Sequence, residues 1–131
     1  MEIIVEFPGA LKVDAHFDGF TVSSDQPISF GGENLAPAPY KIFLASIGNC
    51  AGYYVLSFCR KHDLPIEGIR VVQRVAMNET THLAEAIDIE IQVPVNFPAK
   101  YYDALVRAAN FCKVKQSISD PPLFNTFTKV V

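Results

Sequence analysis

The stretch Pro39-Tyr40-Lys41-Ile42-Phe43-Leu44-Ala45-Ser46-Ile47-Gly48-Asn49-Cys50-Ala51-Gly52-Tyr53-Tyr54-Val55-Leu56-Ser57-Phe58-Cys59-Arg60-Lys61-His62 decides how this chain folds. Proline suits the first turn of a helix, where its missing N–H costs nothing. Arg60, Lys61 and His62 sit where a helix carries its negative end, and Pro65 stops the helix beyond them. No charge falls between Ile42 and Cys59. A helix apolar nearly all round is expected at the centre of a molecule. The charge-free run also has about the minimum length to span a bilayer. Its Ser46, Gly48, Asn49, Cys50, Gly52, Tyr53, Tyr54 and Ser57 instead favour a buried helix of a soluble protein with no membrane contact. Gly48 and Gly52, four apart, offer a notch for a close neighbour, as small residues do between packed helices.

Working outward, residues 2–7 and 10–17 read as strands around Pro8-Gly9. Asp18-Gly19 is a hairpin turn leading into a third strand at 20–24. Residues 25–38 form a loop with Pro27, Gly31, Gly32 and Pro37, long for a compact domain and of the kind that often carries function. Beyond the central helix, 68–77 and 84–95 read as a long hairpin. Ile87, Ile89, Ile91, Val93 and Val95 share one face, with Asp88, Glu90 and Gln92 on the other. Arg70 and Arg74 are placed to pair across with Asp88 and Glu90. Pro98 opens a helix to about Asn110, a short helix runs from Lys113 to Ser119, and Leu123–Val131 is expected as a last strand. This order predicts one α+β domain over residues 1–131.

The bulk properties agree. A chain of 131 residues can bury a core without disulfide or metal staples, and 50% apolar against 19% charged residues excludes disorder. Eleven basic and fourteen acidic residues leave a net charge of −3, with no basic run, which argues against a nucleic-acid partner. The N-terminal Met1–Phe7 carries acids where a signal peptide carries bases. A cytoplasmic protein with reduced thiols is expected.

The chemistry-bearing residues are the cysteines. Cys50 and Cys59 lie about 900° apart on one helix at roughly 100° per residue, so they face opposite sides. Cys112 precedes the short helix, where free N–H groups and Lys113 and Lys115 favour a thiolate. Its pKa is expected to be depressed, and that of Cys50, among apolar residues, to be raised unless something polar faces it. Cys59 is expected to be inert. His16, His62 and His82 are not spaced for a metal site with one another or with the cysteines, and no metal or bound cofactor is expected.

The segment Gly31-Gly32-Glu33-Asn34-Leu35-Ala36-Pro37-Ala38-Pro39-Tyr40-Lys41 through Ala45-Ser46-Ile47-Gly48-Asn49-Cys50, together with Phe111-Cys112-Lys113-Val114, resembles the two cysteine segments of the OsmC/Ohr family of hydroperoxide reductases. The Asp18-Gly19 turn followed by Ser23-Ser24-Asp25 fits as well. The resemblance implies an intertwined homodimer, with antiparallel sheets wrapped around buried central helices and the active site at the interface. It implies Cys50 as the peroxidatic thiol and Cys112 as the resolving thiol, with a cellular dithiol as reductant. Phe17 stands where that family carries an activating arginine, and Tyr40 where it carries a glutamate. Lys113 follows Cys112 where a proline is usual. Glu33, Tyr40 and Lys41, or a charge from the second chain, are the candidate replacements. Phe17, Phe30, Leu35 and Tyr53 are apolar and aromatic candidates for a pocket that takes bulky organic hydroperoxides. The alternative is a non-peroxidase member of the fold, a binding or redox-relay protein with an apolar pocket.

Overall fold

The computed structural model describes residues 1–131. It is α+β, with two antiparallel sheets and three α-helices, and it divides into two compact units, residues 1–45 and 46–131.

The first unit is a meander of β1 (Ile4–Gly9), β2 (Lys12–Phe17) and β3 (Phe20–Ser24) in the order β1-β2-β3. Phe17 pairs with Phe20 across the turn. Asp18 and Gly19 both have positive φ, 48° and 79°, the backbone that matches a tight hairpin to strand twist. The first turn falls at Ala10-Leu11 rather than at Pro8-Gly9, because Gly9 still pairs with Lys12 across a register shift.

The loop after β3 is organised by one carboxylate. Asp25 is fully buried. Its Oδ1 accepts from the Gln26 N–H at 2.7 Å, and its Oδ2 from the N–H groups of Leu35 at 3.0 Å and Glu33 at 3.2 Å. Gly32 is confined by this closure, since a Cβ there would lie 1.9 Å from the Gln26 carbonyl oxygen. Three backbone donors give the loop its shape and satisfy a charge that burial would otherwise penalise. Asp25 and Ser24 are the buried residues of this unit, whereas Phe7, Phe20, Phe30 and Leu35 are exposed.

α1 (Pro39–Lys61) starts in the first unit and continues into the second. In the second unit it buries Ile47, Ala51, Val55 and Cys59, one stripe at every fourth residue. The helix was expected to be enclosed on all sides. Its burial is confined to this stripe, and Tyr53 on another face is 63% exposed. The stripe packs with Phe97, Leu105 and Ala109, and with Val71, Ile89, Ile91 and Val93 of the hairpin segment. The hairpin consists of β4 (Arg70–Met77) and β5 (Ala84–Gln92), and α2 is Tyr102–Ala109. In the ladder, Val71, Gln73 and Val75 oppose Ile91, Ile89 and Ile87. Gln73 is thus the polar member of an otherwise apolar row. A Cβ on Gly48 would come within 2.8 Å of its Oε1. Within the chain Gly48 therefore meets a strand side chain, and Gly52 faces open space.

On the hairpin's outer face, Arg74 pairs with Glu90 as expected, but Arg70 donates to Gln92 Oε1 at 2.8 Å rather than to a carboxylate. α3 is Lys113–Ser119. The strand expected at Leu123–Val131 does not form. Residues 121–131 have no regular secondary structure, and Phe124 and Phe127 are 86% and 83% exposed. A strand needs a paired backbone, and this tail has none within the chain.

The Leu35, Gln26 and Glu33 contacts and the Lys12 charge hold the Asp25 carboxyl below its ordinary 3.8. The Leu35 N–H contributes most, and burial works in the opposite direction. A depressed folded-state pKa stabilises the fold above the unfolded value, and that stability is lost as pH falls through the folded one. Asp25→Asn should therefore lower the melting temperature at neutral pH. The gap from the parent protein should narrow below about pH 4, as followed by thermal melts in a pH series.

Candidate functional site: a thiol pair at the start of α3

The site is built from two elements of the second unit. α1 carries Cys50, half-buried on the flank of its packed stripe. Asn110 and Phe111 end the turn after α2, and Cys112 follows as the N-cap of α3. Its Sγ accepts from the Lys115 N–H at 3.5 Å, the role a serine or aspartate oxygen plays at other helix starts. Its thiol lies 3.9 Å from the Ile47 carbonyl oxygen. Cys50 and Cys112 are neighbouring free thiols, close enough that each shifts the other's ionisation.

The electrostatics of the pair invert the sequence expectation. Burial pushes the Cys50 thiol up, but the Val114 N–H, the Cys112 thiol, the Lys113 N–H and the Lys113 charge together carry it below the ordinary value of 9.0. Burial dominates at Cys112, and the thiol is raised. The Lys115 and Val114 N–H groups oppose the rise, while the hydrogen bond to Cys50 and the negative charge of Cys50 reinforce it. The physical reason is direction. Cys112 belongs to the turn that caps α3, so its sulfur turns back over the helix end and is enclosed. The first N–H groups of α3 aim at the neighbouring sulfur on α1. One helix terminus thus serves Cys50 more than the cysteine that begins it.

Cys59 is fully buried in the core, and burial raises its thiol, which fits an inert packing residue. No group of three or more His, Cys, Asp and Glu side chains is close enough to hold a metal ion.

The other candidates are engaged as follows. Phe17 rests against Phe20 with ring centroids 6.4 Å apart. The Glu33 carboxylate is engaged by Lys12 at 3.1 Å. Tyr40 stacks on Phe43 at 5.8 Å in the first turn of α1, with Lys41 beside it in sequence. All four positions belong to the first unit. Tyr53, in the second, is exposed and edge-on to Tyr54. Sequence reasoning anticipated the free N–H groups at the start of α3 but assigned them to Cys112, whereas those of Lys113 and Val114 lower Cys50. The signal was present in Cys112 opening a helix, but which sulfur those donors face is a tertiary fact.

A half-buried thiol lowered below its ordinary pKa, beside a buried thiol that is raised, is an arrangement suited to dithiol chemistry on an α+β scaffold. The family model for OsmC-like proteins matches residues 31–126, a span that includes both cysteines, and the chain belongs to that family. Among solved structures, it is similar to a Psychrobacter arcticus 273-4 protein named for osmotic stress and detoxification responses. That likeness has 20% identity and a TM-score of 0.74, over 88% of this chain and 85% of that one. A hypothetical protein from Aquifex aeolicus VF5 shares 18% identity with a TM-score of 0.65, over 92% of this chain and 87% of that one. An organic hydroperoxide resistance protein, OsmC, from Legionella pneumophila shares 18% identity with a TM-score of 0.56, over 90% of this chain and 89% of that one. These likenesses establish the fold. No curated protein matches the sequence. Family membership and the paired thiols support a redox-related role.

Alkylation by iodoacetamide from about pH 5 to about pH 9, read by peptide mass, should label Cys50 first and with a midpoint below the ordinary thiol value. Cys112 should label only at higher pH. Cys112→Ala should raise the Cys50 midpoint. Lys113→Met should raise it less, because the backbone donor remains.

Proposed function

We propose that this protein is a thiol-dependent peroxidase of organic hydroperoxides. The Cys50 thiolate attacks the terminal peroxide oxygen. The O–O bond breaks, the leaving alkoxide takes up a proton to become an alcohol, and Cys50 becomes a sulfenic acid. The Cys112 sulfur then attacks that sulfenic sulfur, water departs, and a Cys50–Cys112 disulfide forms. An external dithiol reduces the disulfide by exchange through a mixed disulfide, and is itself oxidised to a disulfide. The observation that carries this reading is the lowered pKa of Cys50 in direct contact with Cys112.

The proposal also accounts for Phe17 and Tyr40, which stand at the positions that the resemblance assigns to arginine and glutamate. In this chain the thiolate draws its stabilisation from the start of α3 and from Lys113. A peroxidase built this way needs no charge from the meander.

We further propose a homodimer. The meander exposes Phe7 and Phe20, and the C-terminal segment exposes Leu123, Phe124 and Phe127. Apolar surface of this extent is the mark of an interface.

A binding or redox-relay protein is the second reading. A cavity of about 340 Å³ lined by Ile91, Val93, Tyr102, Leu105 and Val106, all apolar or aromatic, favours it.

Adding cumene hydroperoxide to the reduced protein should consume two thiols rapidly near neutral pH and lower the intact mass by two hydrogens, with the disulfide mapping to Cys50–Cys112. Cys50→Ser should abolish turnover with dithiothreitol. Thiol loss no faster than that of free cysteine would overturn the peroxidase reading in favour of the second. Light scattering should give twice the chain mass of 14.5 kDa.

A further inference from the structure

A second cavity, independent of the thiol chemistry, lies between the C-terminal half of α1 and α2. It measures about 330 Å³, and Tyr54, Ser57, Phe58, Lys61, His62, Arg107 and Phe111 are among its lining residues. Its chemistry is divided in two. Phe58 and Phe111 supply aromatic surface, while Lys61, His62 and Arg107 contribute three nitrogenous side chains to the lining. The His62 ring is held in place, 4.4 Å from the Phe58 centroid and 5.3 Å from that of Tyr101. Tyr54 and Ser57 add hydroxyl groups.

The two permanent cations have no carboxylate opposite them. The ion pairs of this chain join Lys12 to Glu33, His16 to Glu6 and Arg74 to Glu90, and none involves Lys61 or Arg107. Asp103, one turn before Arg107 on α2, does not close on it. A cavity in the usual size range for small ligands, with an aromatic body and a cationic edge lacking counter-charge, is complementary to one kind of occupant. We infer that this cavity binds a small organic anion, an aromatic carboxylate whose ring lies against Phe58 and Phe111 and whose carboxylate is met by Arg107 and Lys61. The planar guanidinium offers two parallel donors to the carboxylate oxygens, and the ammonium adds a point charge.

Calorimetric titration of the intact protein with 2-naphthoate tests this, with 2-naphthamide as the neutral analogue and inorganic phosphate as the bare anion. Saturable naphthoate binding is expected, with naphthamide and phosphate each weaker by about tenfold or more. Arg107→Gln and Lys61→Met should each weaken naphthoate by about tenfold, and Val106→Ser, in the apolar cavity, should leave it unchanged. Arg107→Gln should also leave peroxide-dependent thiol loss unchanged, so this site and the thiol proposal stand or fall separately. Three results would overturn the inference. One is naphthamide binding as tightly as naphthoate. Another is phosphate displacing naphthoate at equal concentration. The third is loss of melting temperature in Arg107→Gln without loss of naphthoate affinity, which would make Arg107 a partner of its helix end only.

Discussion

The approach of α1 to the β4–β5 hairpin is the constraint on which the rest of the second unit depends. Ile47, Ala51, Val55 and Cys59 recur at every fourth position and give the helix one narrow buried stripe. Small residues within and beside that stripe let the helix sit close, and Gly48 is the tightest point, where even a methyl group would meet Gln73. A close-seated helix fixes the height of Cys50 above the sheet. It also fixes the Ile47 carbonyl oxygen that faces Cys112. The thiol pair is therefore positioned by core packing and not by a mobile loop, which is the condition for a site whose geometry must hold to a fraction of an ångström.

Much of this was legible in the sequence, and the reasons are local. Pro39, the charge-free run and Arg60-Lys61 mark both ends of α1 within a residue, because caps and breakers act over one turn. Asp18-Gly19 identified its hairpin because only a few residue types tolerate two successive positive φ angles. Lys113–Ser119 and the strand at Phe20–Ser24 were equally plain. The nonlocal features were not legible. Leu123–Val131 has the composition of a strand, but composition cannot supply a backbone to pair with. The neighbour of Gly48 turned out to be a glutamine from a strand, which no spacing rule on α1 could reveal. The order of the two thiol pKa values came out reversed for the same reason. Residue type placed donors at the start of α3, and only the fold decided which sulfur would receive them.

Asp25 and the α3 terminus show one device used at two scales. In each, several backbone N–H groups converge on a single acceptor and offset the cost of taking charge out of water. At Asp25 the result is a rigid loop ahead of α1. At Cys50 the result is a thiol lowered below its ordinary pKa. In both, backbone N–H groups act together with a nearby lysine charge.

The contact between Cys50 and Cys112 also governs how the two thiols share protons. Ionising Cys50 makes it harder for Cys112 to ionise, so the pair loses its protons in two separated steps and not together. Between those steps the site behaves as a monoanion, one negative charge and one retained proton held by two adjacent sulfurs. In that state an electron-pair donor on Cys50 sits beside a proton donor on Cys112.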